Sequence, residues 1–308
     1  MYSSLWVSLA AAGLALASFA ARDGALDFVY AGFCFFATYF TYTLDRLYVR
    51  FSPEDARNRP LRAAWFQKNR TTLAVSVFFA AAFAVLAALN FSAHRLVAIF
   101  VFALLCLLYF LPLLWARGRV PPRVFGPGKP FLLALIWTGG TAVIPLLDGN
   151  LGREILGIGG VTGANGGAPR GGASLSSERS LFLLADRFSL LLLNAILFDA
   201  LDRAGDRLRG IRTFAAVHGR SAVLRFSLIG IALWIFFIAV REMNLGSPGR
   251  APEAALPFLF TAFLVLRYAR AIRDRKKADA GKRRFFKTYM PHLLDGILLV
   301  PILLYFIG

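Results

Sequence analysis

The chain has 308 residues, 58% of them hydrophobic, a mean hydropathy of +0.62 and a formal net charge of +18. So apolar a composition excludes a soluble globular domain, which has too little interior to hide that much apolar surface. The charge invites a nucleic-acid partner, and the 2 cysteines, Cys34 and Cys106, invite a disulfide or zinc site; neither idea survives placing those residues along the chain.

Apolar runs long enough to cross a hydrocarbon core of about 30 Å recur from end to end. The first covers residues 5–21. It ends in small residues as a secretory leader would, but no Lys or Arg precedes it, so it reads as a span. The second covers 26–44 and runs into a polar loop, 45–70. The third and fourth, 72–89 and 97–115, are joined by a tight turn. A loop bearing Pro and Arg, 116–128, precedes the fifth span, 130–147. Residues 152–177 are rich in Gly, Ala and Ser without helical or strand period, and read as a mobile loop outside the membrane. They hold no true G-x-G-x-x-G after a strand, so they are not a nucleotide-binding loop. The sixth to ninth spans are 181–201, 222–240, 254–268 and 290–307. The expectation is an all-α protein: a polytopic transmembrane helical bundle of about nine spanning helices, as one integral-membrane domain over residues 1–308. Cys34 and Cys106 fall inside apolar runs and read as small buried hydrophobes.

Nine spans put the loops on alternating sides. The loops after spans two, four, six and eight, with the flanking helix ends, hold 27 of the 35 Lys and Arg. That asymmetry predicts a cytoplasmic N-terminus and an outside C-terminus. It also makes the charge a feature of orientation and anionic lipid, not a nucleic-acid footprint.

The chemistry concentrates in residues 194–219, NAILFDALDRAGDRLRGIRTFAAVHG. Asp199, Asp202 and Asp206 are spaced i, i+3, i+7 at the end of the sixth span. On a helix they share an arc of roughly 60°. Three carboxylates on one face repel unless a cation sits between them, and an all-oxygen set suits a hard divalent ion, Mg²⁺ commonly bridging carboxylates to phosphates. Arg203, Arg207, Arg209, Arg212 and Arg220 interleave or follow. On the same predicted side, Asp45 ends the second span, and Arg46, Glu54, Asp55, Asn58, Arg59 and Arg62 follow it. Glu54 and Asp55 suit a solvated loop of local ion pairs, whereas Asp45, at the polar boundary, suits a site. Lys129 opens the fifth span and either snorkels to the interface or holds a phosphate. Tyr109 reads as an interfacial aromatic, and His94 and His218 as solvated. Asp186 and Arg187 lie toward the other side, where a polar partner would pair with them. His292 and Asp295 share a face of the ninth span; ionisable groups inside a membrane are site candidates or packed neutral groups.

The stretch FDALDRAGDRLRGIRTFAAVHG resembles the second aspartate-rich motif of the UbiA superfamily of membrane-embedded prenyltransferases, D-x-x-D-x-x-G-D-x-x-x-G-I-x-T followed by a Gly. Asp199, Asp202, Gly205, Asp206, Gly210, Ile211, Thr213 and Gly219 fall in place. The family's nine-helix plan agrees with the spans above. Of the first motif, N-D-x-x-D-x-x-x-D then N-R-P-L, Asp45 matches the middle Asp, and Asn58, Arg59, Pro60 and Leu61 match the tail with about one residue inserted. Thr41, Tyr42 and Val49 stand where the family has Asn, Asp and Asp. The family's Lys-Arg pair in the fourth helix is also not evident after Tyr109.

The resemblance implies a Mg²⁺-dependent transferase acting at the cytoplasmic face of a membrane. It would take a polyprenyl diphosphate and an aromatic, other small or lipid acceptor, with no nucleic acid. Asp45, Asp199, Asp202 and Asp206 would hold the metal and serve catalysis. Asn58, Arg59, Lys129, Arg203 and Arg212 would take the diphosphate. A decayed family member that holds a polyprenyl lipid without transferring it is the alternative. A CDP-alcohol phosphotransferase is excluded, because Asp202 is followed by Arg-Ala-Gly where that family needs D-G-x-x-A-R. A transporter would place polar residues near mid-membrane in several spans, and they are few.

Overall fold

The computed structural model describes residues 4–23, 26–48, 60–115, 126–147, 177–208, 212–244, 251–273, 293–294 and 296–307. All regular structure among the described residues is helical: α1 (Ser4–Asp23), α2 (Phe28–Tyr48), α3 (Pro60–Lys68), α4 (Arg70–Ala88), α5 (Ala93–Trp115), a 3₁₀ turn (Gly126–Gly128), α6 (Lys129–Thr138), a π turn (Gly139–Val143), α7 (Ile144–Leu147), α8 (Ser177–Leu208), α9 (Phe214–Asn244), α10 (Ala251–Arg273) and α11 (Val300–Ile307). Five helical stretches among the described residues are long and apolar enough to cross a membrane: Ser4–Arg22, Arg70–Ala88, Lys129–Leu147, Ser180–Leu201 and Phe214–Val240. Ala93–Leu107 and Ala255–Arg267 are shorter apolar helices. The second predicted span is a full helix, α2, whose last turns are diluted by Thr41, Thr43 and Asp45. The ninth is represented by α11 and the turn before it. The chain is therefore an all-α, multi-pass integral membrane protein, and five is the number of crossings that length and composition support among the described residues.

Neighbouring helices pack in the order α4, α2, α1, α11, α10, α9, α8 and α6, with α1 also lying against the π turn and α7. One buried cluster, including Leu14, Leu190, Leu197, Ile231, Phe258 and Ile297, fills the space between α1, α6, α8, α9, α10 and the C-terminal segment. A second, with Ala15, Phe19, Tyr30, Phe91 and Ile144, lies between α1, α2 and α7, and Trp137 packs against both. Small residues make α1 a close-packing helix: a Cβ on Gly13 would stand 2.8 Å from the Leu299 side chain. The outward surface is as apolar as the core. Phe78 is 71% exposed, Phe100 68% and Phe236 68%, an arrangement that water penalises and lipid does not.

The end of the bundle away from Asp199 is pinned by local chemistry. Asp27 caps α2 by accepting the Tyr30 N–H at 2.8 Å, and it pairs with Arg95 at 2.9 Å. The Arg95 guanidinium lies 5.0 Å from the Phe91 ring, 5.4 Å from Tyr30 and 5.7 Å from Phe19. Arg22 donates to the Pro145 carbonyl at 2.6 Å. The π turn arises where α5 presses on the fifth span: a Cβ on Gly139 would fall 1.9 Å from the Phe102 ring. There the Ile144 N–H bonds the Gly139 carbonyl, the i→i+5 pattern that interrupts an α-helical ladder. The Gly140 carbonyl accepts the Tyr30 hydroxyl at 2.5 Å.

Candidate functional site

α8 continues past the apolar stretch into its acidic turns without a break. Asp199 and Asp206 are both buried, at 5% and 7% exposure. Asp202 lies between them on the same helix, and its side chain is outside the described residues. A buried carboxylate needs a compensating charge, and for Asp199 the fifth span supplies one. The 3₁₀ turn delivers the chain to the start of α6, where Gly128 precedes the helix, Pro130 follows in its first turn and Lys129 stands between. Lys129 Nζ reaches Asp199 Oδ1 at 3.3 Å; the side chains are 34% and 7% exposed. Lys129 thus points at the carboxylate of α8, and keeps one side open to solvent.

Asp206 is held from the other direction. The Thr213 hydroxyl donates to Asp206 Oδ2 at 3.2 Å and accepts the Ala216 N–H at 3.2 Å, so Thr213 caps α9. Arg207 Nε donates to the Ala216 carbonyl at 3.1 Å. Five residues into α9 the helix breaks at Gly219, with φ 83° and ψ 165°, a region that side-chain-bearing residues avoid. Arg203 Nη2 lies 3.8 Å from where a Cβ would stand on Gly219. The turn 214–218 is therefore a separate piece of helix folded against the end of α8. Arg212, exposed at its entrance, presents its carbonyl 3.5 Å from the Cβ position of Gly126. Contacts between the 3₁₀ turn and α9 bring the starts of α6 and α9 together. Phe214 packs on His218 at 4.8 Å between ring centroids.

The positions at which α2 departs from the family motif have other occupations. The Thr41 hydroxyl donates back to the Ala37 carbonyl at 2.8 Å. The Tyr42 ring meets Trp137 edge to face at 6.3 Å. Asp45, a turn further on, is half-buried. Asn58, Arg59, Glu54, Asp55, His292 and Asp295 lie outside the described residues. Among the described residues no three of His, Cys, Asp and Glu converge at metal-binding range. The donor chemistry of Asp199, Asp206 and Asp45 is all-oxygen and of the kind a hard dication takes, but these three do not by themselves converge on one point.

Sequence reasoning singled out Lys129 without its partner, and took Thr213 as a motif position without a contact. It missed several buried oxygens that find no hydrogen-bond partner among the described residues: Thr43 Oγ1, Thr138 Oγ1, Asn194 Oδ1 and Ser227 Oγ, on α2, α6, α8 and α9. The signal available was only an isolated polar residue in each apolar run. At the opposite end of α8, Asp186 and Arg187 do find polar company. They pair with each other at 3.1 Å, and Trp234 Nε1 donates to Asp186 Oδ1 at 3.1 Å. A groove of about 340 Å³ opens between α1, α2 and α4, lined by Leu5, Phe35, Phe36, Phe79 and Phe83, with Tyr39 and Ser76 bonded hydroxyl to hydroxyl at 3.0 Å.

No family model matches the chain, and no curated protein matches its sequence. Among solved structures, one described as digeranylgeranylglyceryl phosphate synthase in membranes is similar. The identity is 13%, the TM-score 0.49, and the match covers 99% of this chain and 95% of that one.

Proposed function

We propose that the chain is a Mg²⁺-dependent prenyltransferase that moves a polyprenyl group from an allylic diphosphate to an aromatic, other small or lipid acceptor. The charge asymmetry of the loops supports a reaction at the cytoplasmic face of the membrane. The observation that carries this reading is the Lys129–Asp199 pair at the acidic end of α8. A cation and a carboxylate held together there are the two halves that a metal-bound diphosphate needs.

In the resting chain each compensates the other. On substrate binding Lys129 would turn its ammonium from Asp199 to the phosphate oxygens, with Arg203, Arg212, Arg59 and Asn58 sharing the charge. Asp199, Asp202 and Asp206, with Asp45 opposite, would hold Mg²⁺. When bound, Mg²⁺ supplies neutralisation of the charge that develops on the leaving diphosphate. Thr213 and Lys129 keep the carboxylates in place before the ligand arrives. The apolar helices would bed the hydrocarbon tail and keep water from the allylic cation, which the acceptor then attacks. α2 joins these functions: Phe35, Phe36 and Tyr39 line the groove, and Asp45 follows Tyr39 by about 9 Å of helix.

The test uses purified protein in nanodiscs. Mg²⁺-dependent release of pyrophosphate from farnesyl or geranylgeranyl diphosphate is followed across a panel of aromatic acceptors, with Asp202→Ala as control. Turnover requiring both Mg²⁺ and Asp202 is the expected result.

A second reading, a protein that binds a polyprenyl lipid without transferring it, is favoured by α2. Thr41 and Tyr42 are used for a helix-internal hydrogen bond and for packing on Trp137. Diphosphate binding without turnover over the whole panel would select it.

A further inference from the structure

We infer that Thr213 is a positioning residue of the acidic site, fixing which oxygen of Asp206 is presented to a bound cation. The inference rests on the reading of this end of the bundle as a cation and diphosphate site. A hydroxyl has one proton to give and lone pairs to receive with. The Ala216 N–H takes the acceptor side of Thr213 at 3.2 Å, so its single proton is directed to Asp206 Oδ2 at 3.2 Å. Thr213 is fully buried, and water does not compete for that proton. Its β-branched side chain has restricted rotamers, which a free serine lacks. The Asp206 carboxylate is thereby oriented: Oδ2 is engaged at the start of α9, which would favour presenting the other side of the carboxylate to a cation.

The surroundings make this more than a helix cap. Gly219 breaks α9 after the turn 214–218, so that turn is not carried by the rest of the helix. Among the described residues it meets α8 through the Ala216 carbonyl, which takes Arg207 Nε at 3.1 Å, and through Thr213, which bonds Asp206 while its oxygen accepts the Ala216 N–H. The hydroxyl of Thr213 thus serves both the cap of the turn and Asp206, whereas Arg207 docks the turn without touching Asp206.

The experiment compares wild type, Thr213→Val, Thr213→Ser and Arg207→Gln in nanodiscs, reading Mn²⁺ affinity by electron paramagnetic resonance and thermal stability without metal. Thr213→Val keeps the shape and removes the hydroxyl. It is expected to weaken Mn²⁺ by about tenfold or more, the usual consequence of losing a hydrogen bond to a metal ligand. Thr213→Ser should retain most of the wild-type affinity. Arg207→Gln loosens the same turn without touching Asp206 and should lower stability with little change in Mn²⁺ affinity. A Thr213→Val protein that is less stable but binds Mn²⁺ as wild type does would reduce Thr213 to a cap and overturn the inference. So would an Arg207→Gln protein that loses as much affinity as Thr213→Val. Wild-type protein that binds no Mn²⁺ at millimolar concentration would instead overturn the diphosphate site, and the role of Thr213 with it.

Discussion

Replacing Lys129 by Met removes the ammonium from Asp199 and keeps most of the aliphatic stem. At 3.3 Å the pair has a Coulomb attraction of roughly 5 kcal/mol for an effective dielectric near 20. Little of that is net stabilisation, because both groups were solvated before folding and Lys129 remains 34% exposed. The loss is larger when one partner alone is removed, since the remaining carboxylate is 7% exposed. Broken buried pairs cost about 3–5 kcal/mol, and the solvent reaching Lys129 brings this to roughly 2–3 kcal/mol by the same scale. Asp199→Asn should cost less, about 1 kcal/mol, because the freed lysine can turn to water. The double variant should resemble Asp199→Asn, leaving a coupling of about 2–3 kcal/mol in the cycle. The assay is thermal unfolding of the metal-free protein in nanodiscs with a thiol-reactive dye, for which the buried Cys34 is a reporter. Additivity of the two single changes within about 0.5 kcal/mol would refute the energetic link. In turnover, Lys129→Met should lower kcat/KM about 10- to 150-fold, the worth of one charge-assisted contact to phosphate.

Gly219→Ala places a side chain at φ 83°, ψ 165°, beside Arg203, and should destabilise by about 1–3 kcal/mol while weakening diphosphate binding; unchanged unfolding temperature would show that the break in α9 is not required. Asp186→Leu removes the carboxylate beside Arg187, whose residue is 7% exposed, and should cost about 3–5 kcal/mol in thermal unfolding. Its turnover per folded molecule should stay at the wild-type level, because Asp186 lies about 20 Å along α8 from Asp199. A matching fall in turnover would mean that the two ends of α8 are coupled.

The helical bundle is legible in the sequence because lipid imposes its own rule. Backbone polar groups must be paired within each segment, so long apolar runs become helices. What the runs do not show is where the helices end. Hydropathy stops near residue 201, where polar residues begin, yet α8 continues to Leu208 because its backbone bonding does not depend on lipid. The π turn at Gly139–Val143 was out of reach for a similar reason: it depends on the Phe102 ring arriving from another helix. The Arg95 cage needs rings from α1, α2 and the turn before α5, which share no local pattern.

The site divides in the same way. The spacing of Asp199, Asp202 and Asp206 is a property of one helix and could be read directly. The Lys129–Asp199 contact joins residues 70 positions apart, and neither snorkelling nor phosphate binding anticipates it. That contact has a thermodynamic consequence. On the proposed function, a dication at Asp199 would release Lys129, and a diphosphate taking Lys129 would release Asp199 from its ammonium. Each ligand would remove a cost that the other otherwise meets, so their affinities would be reciprocally linked. Direct contact between metal and diphosphate produces linkage as well, and Lys129→Met separates the two sources. In wild type, a non-hydrolysable prenyl diphosphate analogue should raise Mn²⁺ affinity by roughly 5- to 150-fold, the usual range of such coupling. In Lys129→Met, Asp199 lacks that ammonium from the start. Mn²⁺ should then bind more tightly in the absence of the analogue, and the enhancement by the analogue should shrink. Titration calorimetry of both proteins reads all four affinities. Equal enhancement in the two would show that the resting ion pair plays no part in the exchange, and that Lys129 meets the phosphate only as one more cation.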